Sequence, residues 1–126
     1  MFLLVCRAYL LFTRTEEHLI HRNFPTLYEW VRRIPISGKP AREGAAEAIC
    51  RAVDLAAVWY CKEVLCLQRS ATLACLLREY GFPAELVIGA QLLPFKAHAW
   101  VEVDGHVVGD KPYMREIYAV LDRCRE

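Results

Sequence analysis

The sequence has 126 residues, of which 56 % are apolar and 25 % charged, so it suits one compact domain with a sizeable core and is not that of a disordered chain. Its 16 basic and 15 acidic residues leave a net charge of +1, and Arg32–Arg33 is the only basic doublet. Nucleic-acid binding proteins concentrate positive charge on one face, so we exclude nucleic acid as a partner.

The chain begins with an apolar run, MFLLVCRAYLLF. Arg7 interrupts this run, no basic residue precedes it, and no small-residue cleavage site of a signal peptide follows it. A membrane span needs about 20 apolar residues, and the run ends before Thr13. We therefore expect no membrane span but a helix or strand packed on the domain. The alternative is an element that docks a partner or lies on a membrane surface.

The cysteine pattern gives no sign of a disulfide framework or a metal site. The sequence contains Cys6, Cys50, Cys61, Cys66, Cys75 and Cys124. Disulfide frameworks belong to small secreted chains with poor cores, and the paired spacings of a zinc site are absent. We expect mostly free thiols in the reducing cytoplasm, with no metal and no cofactor.

Helical spacing dominates residues 1–60. Apolar residues recur at helical intervals over 24–34, and a loop is expected at 35–40, where two prolines and a glycine occur. Residues 42–58 are rich in alanine and glutamate and predict a helix with a broad apolar face. The first part of the chain is therefore predicted to be helical.

The second half mixes one helix with strands. A helix is predicted over 66–80, with Leu73, Leu76, Leu77 and Tyr80 as its apolar stripe and Gly81 as its C-terminal cap. Residues 84–90 form a β-rich run, 92–95 a connection, and Asp104–Gly105 the turn of a hairpin. A closing helix is predicted over 114–125. The order predicts an α+β domain with a small antiparallel sheet packed on helices.

One cysteine stands where a nucleophile is needed. Cys66 lies at the predicted start of the 66–80 helix, and Arg69 adds a positive charge within one turn. A thiol attacks as the thiolate, which a helix N-terminus and nearby positive charge favour. Cys75 lies nine residues further on the same helix, roughly on the opposite face, and is interpreted as core.

His98 is the candidate base. In the strand AHAWVEV, Ala99, Val101 and Val103 share an apolar face that we assign to the core, so His98 and Trp100 point to the opposite side. A lone histidine is most often structural, but this position places the imidazole where a site can lie.

The choice of the acid that orients His98 depends on the hairpin turn. Glu102 and Asp104 lie too far along the same strand to reach the imidazole. If the loop comprises residues 103–105, His98 pairs with Asp110 on the returning strand. A two-residue loop would instead pair His98 with Lys111 and turn Asp110 away. We choose the first turn type, which gives the triad Cys66, His98 and Asp110.

Three segments carry a family resemblance. CLQRS at 66–70, LLREYGFPAELVIG at 76–89 and FKAHAWVEVDG at 95–105 resemble the lasso-peptide leader peptidases of the transglutaminase-like superfamily. The resemblance implies a papain-like α+β core with Cys66 as nucleophile, His98 as base and Asp110 as orienting acid. The first half of the chain matches only by its helical character.

The resemblance also implies an activity and partners. It implies a cytoplasmic cysteine peptidase that removes the leader from a ribosomally made lasso-peptide precursor, without a metal or cofactor. We expect a single domain over 1–126, with a helical part at 1–60, a catalytic core at 61–111 and a closing segment at 112–126. The expected partners are the precursor, a separate small leader-recognition protein, and the lasso cyclase as a further candidate.

Two other functions are compatible with the same residues. A transglutaminase-type acyl transferase would use the same triad with an amine in place of water. A peptide- or partner-binding module of the same fold would perform no chemistry, although an intact triad speaks against it.

Overall fold

The periodicity of each half of the chain is reflected in its secondary structure. The computed structural model describes residues 2–20, 24–38, 44–61, 64, 66–92, 95–110 and 119–124, and these contain four helices and four strands. The helices are α1 (Phe2–Ile20), α2 (Phe24–Arg33), α3 (Ala45–Trp59) and α4 (Cys66–Glu79). The strands are β1 (Ala84–Leu92), β2 (Phe95–Val103), β3 (His106–Val108) and β4 (Ala119–Cys124). The predicted α+β class with a helical N-terminal half is confirmed.

The strands form one antiparallel sheet in the order β3–β2–β1–β4. β1 and β2 pair along their whole length, and a register shift between Ile88 and Gly89 accompanies the pairing of β1 with β4. Ala99 and Val101 of β2 lie in the main core with residues of all four helices, as their shared strand face predicts. The opposite face of β2 therefore carries His98.

Helix α4 lies at the centre of the molecule, and Gln68 and all its residues from Ser70 to Arg78 are buried. The Arg78 side chain is kept in this environment by three hydrogen bonds, which a buried charge requires. It donates to the backbone oxygens of Ala84 (2.8 Å), Arg32 (3.2 Å) and Ile34 (3.0 Å). These bonds join the end of α4 to α2 and β1, so the helix that begins at Cys66 is firmly held.

Tyr80 does not belong to the buried stripe of α4 that the sequence predicts. It follows the last helical residue, Glu79, and is 43 % exposed. The helix ends there because Gly81 adopts a left-handed backbone (φ 94°), and the amide of Phe82 then donates to the carbonyl of Leu77. Past that turn, the side chain no longer follows the helical periodicity.

The apolar start of the chain is a helix that packs on the domain. Ala8, Leu11 and Phe12 of α1 are buried in the core, which confirms the prediction. Helix α1 continues through the polar residues as far as Ile20. None of the helices in the described ranges combines the length and hydropathy that crossing a bilayer requires.

Two predictions about the second half of the chain are wrong, one about its last element and one about a connection. Residues 119–124 of the predicted closing helix form strand β4, which pairs with β1, while 114–118 lie outside the described residues. A short apolar run does not distinguish helix from strand by its periodicity, and here the free edge of β1 favours the strand. The predicted connection at 92–95 is also shorter than expected, because β1 includes Leu92 and β2 begins at Phe95.

The hairpin turn differs from the one on which the choice of Asp110 was based. Val103 pairs directly with His106, so the loop has two residues, Asp104 and Gly105. Both have positive φ, 51° and 82°, as a type I′ turn requires. The predicted three-residue loop is therefore wrong, because Asp and Gly both tolerate the left-handed conformation that matches the twist of the strands.

Candidate active site

Cys66 is the first residue of α4 and is exposed, although most of the helix after it is buried. The first turn of a helix leaves backbone N–H groups without helical partners, and these groups attract negative charge. Cys66 lines a cavity of about 230 Å³. The same cavity is lined by His98 of β2 and by Asp110 beyond β3, so the structure brings the three predicted residues together.

His98 and Asp110 form a direct hydrogen bond. The distance from His98 Nε2 to Asp110 Oδ2 is 2.7 Å, and both side chains are about three-quarters buried. A carboxylate can only accept, so Nε2–H of the imidazole donates to Asp110. In the neutral ring this assigns the proton to Nε2 and makes Nδ1 the basic nitrogen.

Asp110 reaches His98 through a bend and not through strand pairing. β3 pairs with β2 only between Val101 and Val103 and ends at Val108. Gly109 then adopts a left-handed backbone (φ 75°), which turns the chain before Asp110. We expected a two-residue loop to turn Asp110 away from His98. This expectation fails because the pairing of β3 with β2 ends at Val108, before residue 110.

A buried hydrogen bond connects the helix of Cys66 to the strand of His98. The hydroxyl of Ser70, one turn after Cys66, donates to the backbone oxygen of Ala99 at 2.9 Å. Both residues are buried, and Ala99 is the neighbour of His98 in sequence. The bond therefore fixes the start of α4 relative to the imidazole.

Arg69 lines the cavity and is held by an ion pair. Its Nε and Nη2 lie 2.9 Å and 2.7 Å from Oδ1 of Asp54, which joins α4 to α3. Cys50 lies close to this pair, and burial raises the pKa of its thiol, while the positive charge of Arg69 lowers it. The Cys50 thiol is thus protonated at neutral pH.

A larger cavity of about 750 Å³ lies elsewhere, between α1, α2 and the end of α4. Arg7 and Glu79 line it and form an ion pair at 2.5 Å. Neither Cys66 nor His98 lines this cavity. We place the candidate site at the smaller cavity because Cys66, a potential nucleophile, and His98, a potential base, both line it.

Sequence reasoning missed three residues that shape the site: Gly109, Ser70 and Asp54. Gly109 follows a strand of valines, where a glycine that ends the strand is a recognisable signal. Ser70 and Asp54 have no such signal, because their roles come from contacts across elements that are distant in sequence. Arg69, which the sequence predicts as a positive charge within one turn of Cys66, both lines the cavity and joins two helices.

An exposed cysteine at the start of a central helix, facing a His–Asp pair on an antiparallel sheet, is what a papain- or transglutaminase-like α+β domain is expected to present. The family model described as the transglutaminase-like superfamily matches residues 13–123, and the chain belongs to that superfamily. The superfamily that the sequence resemblance implied is thereby confirmed.

One relative is similar over a shorter stretch. The chain is 43 % identical over 56 residues to the microcin J25-processing protein McjB of Escherichia coli. This match covers 44 % of the chain and 27 % of McjB, so the chain matches little more than a quarter of that protein's length. No solved structure matches the chain.

Proposed function

We propose that this protein is a cysteine peptidase that removes the leader peptide from a lasso-peptide precursor. The observation that carries the proposal is the His98–Asp110 hydrogen bond, which lies at the same cavity as Cys66. Membership of the transglutaminase-like superfamily and the similarity to a protein named for microcin processing support it. The proposed catalytic residues are Cys66, His98 and Asp110.

The first half of the proposed reaction forms an acyl-enzyme. Nδ1 of His98 takes the proton of the Cys66 thiol, and the thiolate attacks the carbonyl carbon at the junction of leader and core. The protonated imidazole then gives its proton to the leaving amine as the C–N bond breaks. A thioester between Cys66 and the leader remains, and the core peptide leaves with a free amine.

The second half hydrolyses the thioester. His98 removes a proton from water, the resulting hydroxide attacks the thioester carbonyl, and the C–S bond breaks with return of the proton to sulfur. Asp110 stabilises the imidazolium and keeps the ring oriented throughout. The backbone N–H groups at the start of α4 are the proposed donors to the oxyanion in both halves.

The partners follow from this reaction. The substrate is the precursor peptide, and we propose that a separate small leader-recognition protein presents the leader to the cavity. The lasso cyclase is a further proposed partner, because it would use the amine that cleavage releases. A ribosomal substrate and a thiol nucleophile both indicate the cytoplasm as the place of reaction.

The test is mass spectrometry of a lasso precursor incubated with the protein and a leader-binding partner. The parent chain should cut at the leader junction, and Cys66→Ala should not. Cys61→Ala is the matched control, since Cys61 is also exposed and precedes Cys66 by only five residues. Equal cleavage by Cys66→Ala would remove Cys66 from the mechanism.

The same masses separate the two other functions. Hydrolysis adds one water to the sum of the products, whereas an acyl transferase joins the leader to an amine. If neither parent nor variant cuts the precursor while the leader-binding partner is bound, a non-catalytic binding module explains the protein better.

A further inference from the structure

The face of β2 that carries His98 also carries two residues with no part in the proposed chemistry. Trp100 and Glu102 follow His98 at intervals of two, so all three side chains lie on the same side of the strand. Trp100 is completely buried, although it lies on the face opposite α4, and it packs with Val87 and Val107. This small cluster is separate from the main core.

Glu102 is a buried carboxylate, with only 1 % of the residue exposed. Its Oε2 accepts a hydrogen bond from Nε1–H of Trp100 at 2.8 Å. Burying a carboxylate is costly unless it is hydrogen bonded, and an indole N–H buried without an acceptor is costly too. Rotation of the indole would break this bond, so the buried pair holds the Trp100 ring in one orientation.

The Trp100 indole lies beside the imidazole of His98. The ring centroids of His98 and Trp100 are 6.2 Å apart and their planes differ by 23°, an offset stacked arrangement within the range of favourable ring contacts. The hydrogen bond to Asp110 acts on one atom of the imidazole, Nε2, and such a bond restrains the tilt of the ring less than the position of that atom. A fixed aromatic neighbour restricts that tilt.

We propose that Trp100 and Glu102 are positioning residues, which hold the His98 ring so that Nδ1 is directed at Cys66. Glu102 fixes the indole, the indole fixes the imidazole plane, and Asp110 fixes Nε2. The inference rests on the proposed function, because it concerns the same base and nucleophile. It extends the site beyond the triad to the buried end of the strand.

The experiment measures how fast iodoacetamide alkylates Cys66 as a function of pH. Trypsin releases residues 63–69 with Cys66 as their only cysteine, so mass spectrometry reads this thiol separately from the other five. A Cys66–His98 pair should keep Cys66 reactive between about pH 5 and 7, where an ordinary thiol is almost wholly protonated. His98→Ala should remove that reactivity.

The pH range must be interpreted with the neighbours of His98 in mind. Among the described residues these are Asp110, Cys66 and Arg69 at the cavity and Lys96 and Glu102 on the same strand face, while β1 places the uncharged Gly89 opposite His98. Trp100→Phe leaves all of these groups unchanged, and Glu102→Met and Glu102→Gln remove the same charge. A change with Trp100→Phe, or a difference between the two Glu102 variants, is therefore due to the position of the imidazole.

Glu102→Met and Glu102→Gln form a matched pair of equal side-chain length. Gln keeps an oxygen that accepts the indole N–H, so Glu102→Gln should be alkylated almost like the parent. Glu102→Met and Trp100→Phe each break the bond. Each should slow alkylation of Cys66 near pH 6 about tenfold or more, because a small displacement of a reacting group is enough to lower a rate by this factor. Thermal melts establish that each variant is folded.

Val101→Ala is the control for a purely structural effect. Val101 is buried on the same strand but faces the main core, so its truncation should lower the melting temperature without changing the alkylation profile. If folded Trp100→Phe or Glu102→Met is alkylated like the parent, the positioning role is wrong and the proposed peptidase stands. If His98→Ala is alkylated like the parent, the Cys66–His98 pair does not exist, and both proposals fail.

Discussion

Among single residues, Gly109 connects the geometry of the hairpin with the chemistry of the candidate site. Its φ of 75° disfavours any residue with a side chain. A Cβ at this position would lie 2.8 Å from Cδ2 of Leu73, 3.4 Å from Sγ of Cys50 and 3.5 Å from Nη2 of Arg69. Backbone and space both require glycine, and the bend made here places Asp110 beside His98.

We expect Gly109→Ala to lower both stability and activity. The left-handed backbone should cost about 1–3 kcal/mol, and the overlap with Leu73 a further cost of about 1–3 kcal/mol. Gly105→Ala is the matched control, because Gly105 also has a positive φ (82°) but nothing within 4 Å of an added Cβ. Urea unfolding and precursor cleavage measure both effects. A cleavage rate that falls equally in the two variants would contradict a specific role for the bend.

Asp110 allows a finer test of what the orienting acid does. Asp110→Ala removes the acceptor for Nε2–H and should lower kcat about 10²- to 10⁴-fold, the range of general-base catalysis. Asp110→Asn keeps an oxygen that accepts this hydrogen bond but lacks the charge that stabilises the imidazolium, so its kcat should lie between the parent and Asp110→Ala. An alanine variant as active as the parent would show that His98 acts without Asp110.

Among the elements, the junction of α4 with β2 determines whether nucleophile and base meet. α4 supplies Cys66 and β2 supplies His98, and the hydroxyl of Ser70 connects these two elements directly beside the cavity. Ala99 is buried on the helix side of β2, so its carbonyl cannot exchange this partner for bulk water. The bond therefore contributes both to stability and to alignment.

We expect Ser70→Ala to cost about 1–3 kcal/mol, because it leaves the buried carbonyl of Ala99 without its donor. Cleavage should fall as well, since the start of α4 is no longer fixed against His98. Thr72→Val is the control, as it removes a buried hydroxyl that contacts Thr15 of α1 and not the sheet. Urea unfolding gives the stabilities and initial rates give the activities. A Thr72→Val variant that loses as much activity would indicate that general loosening of α4, and not this junction, matters.

The elements also show what the sequence could predict. The helices at 24–34, 42–58 and 66–80 agree with α2, α3 and α4 to within a few residues, because each has a sustained apolar face and a proline or glycine at its boundary. Strand β4 was missed because six residues contain too little periodicity to distinguish a strand from a helix, and its partner β1 lies some 30 residues earlier in the chain. Long-range pairing leaves no local signal.

The candidate site was predicted for reasons that are only partly correct. Strand parity correctly placed His98 opposite the apolar core face, and the start of α4 correctly placed Cys66. Asp110 was selected from a turn type that the hairpin does not have. It nevertheless meets His98 because Gly109 bends the chain after β3, and the space that admits only glycine there is formed by α3 and α4. Such a constraint comes from tertiary packing.

In the molecule as a whole, contacts around Tyr60 join the first and third helices of the helical half. This residue follows α3, and its ring packs against Tyr9 and Phe12 of α1 at centroid distances of 5.1 Å and 5.5 Å. Its hydroxyl donates a hydrogen bond to the carboxylate of Glu16 on α1. Burial first, and then this bond, raise the pKa of the Tyr60 hydroxyl above its usual value near 10.

This shift predicts that the protein loses stability in alkaline solution. Tyr60 has an ordinary pKa in the unfolded chain and a raised one in the folded protein, so above about pH 10 the unfolded state releases its proton first. The free energy of unfolding should then fall with rising pH, by at most about 1.4 kcal/mol per pH unit from this one group. Below pH 9 the contribution is fully present.

Tyr60→Phe isolates this contribution, because all other groups that ionise in the same range are common to both proteins. At pH 8 the variant should be less stable than the parent, since the hydrogen bond to Glu16 is lost. Above pH 10 the parent should lose stability more steeply, so the two curves of unfolding free energy against pH should converge. Urea unfolding between pH 8 and 11 measures both curves. Parallel curves would show that the Tyr60 hydroxyl titrates alike in the folded and unfolded protein, and would contradict the raised pKa.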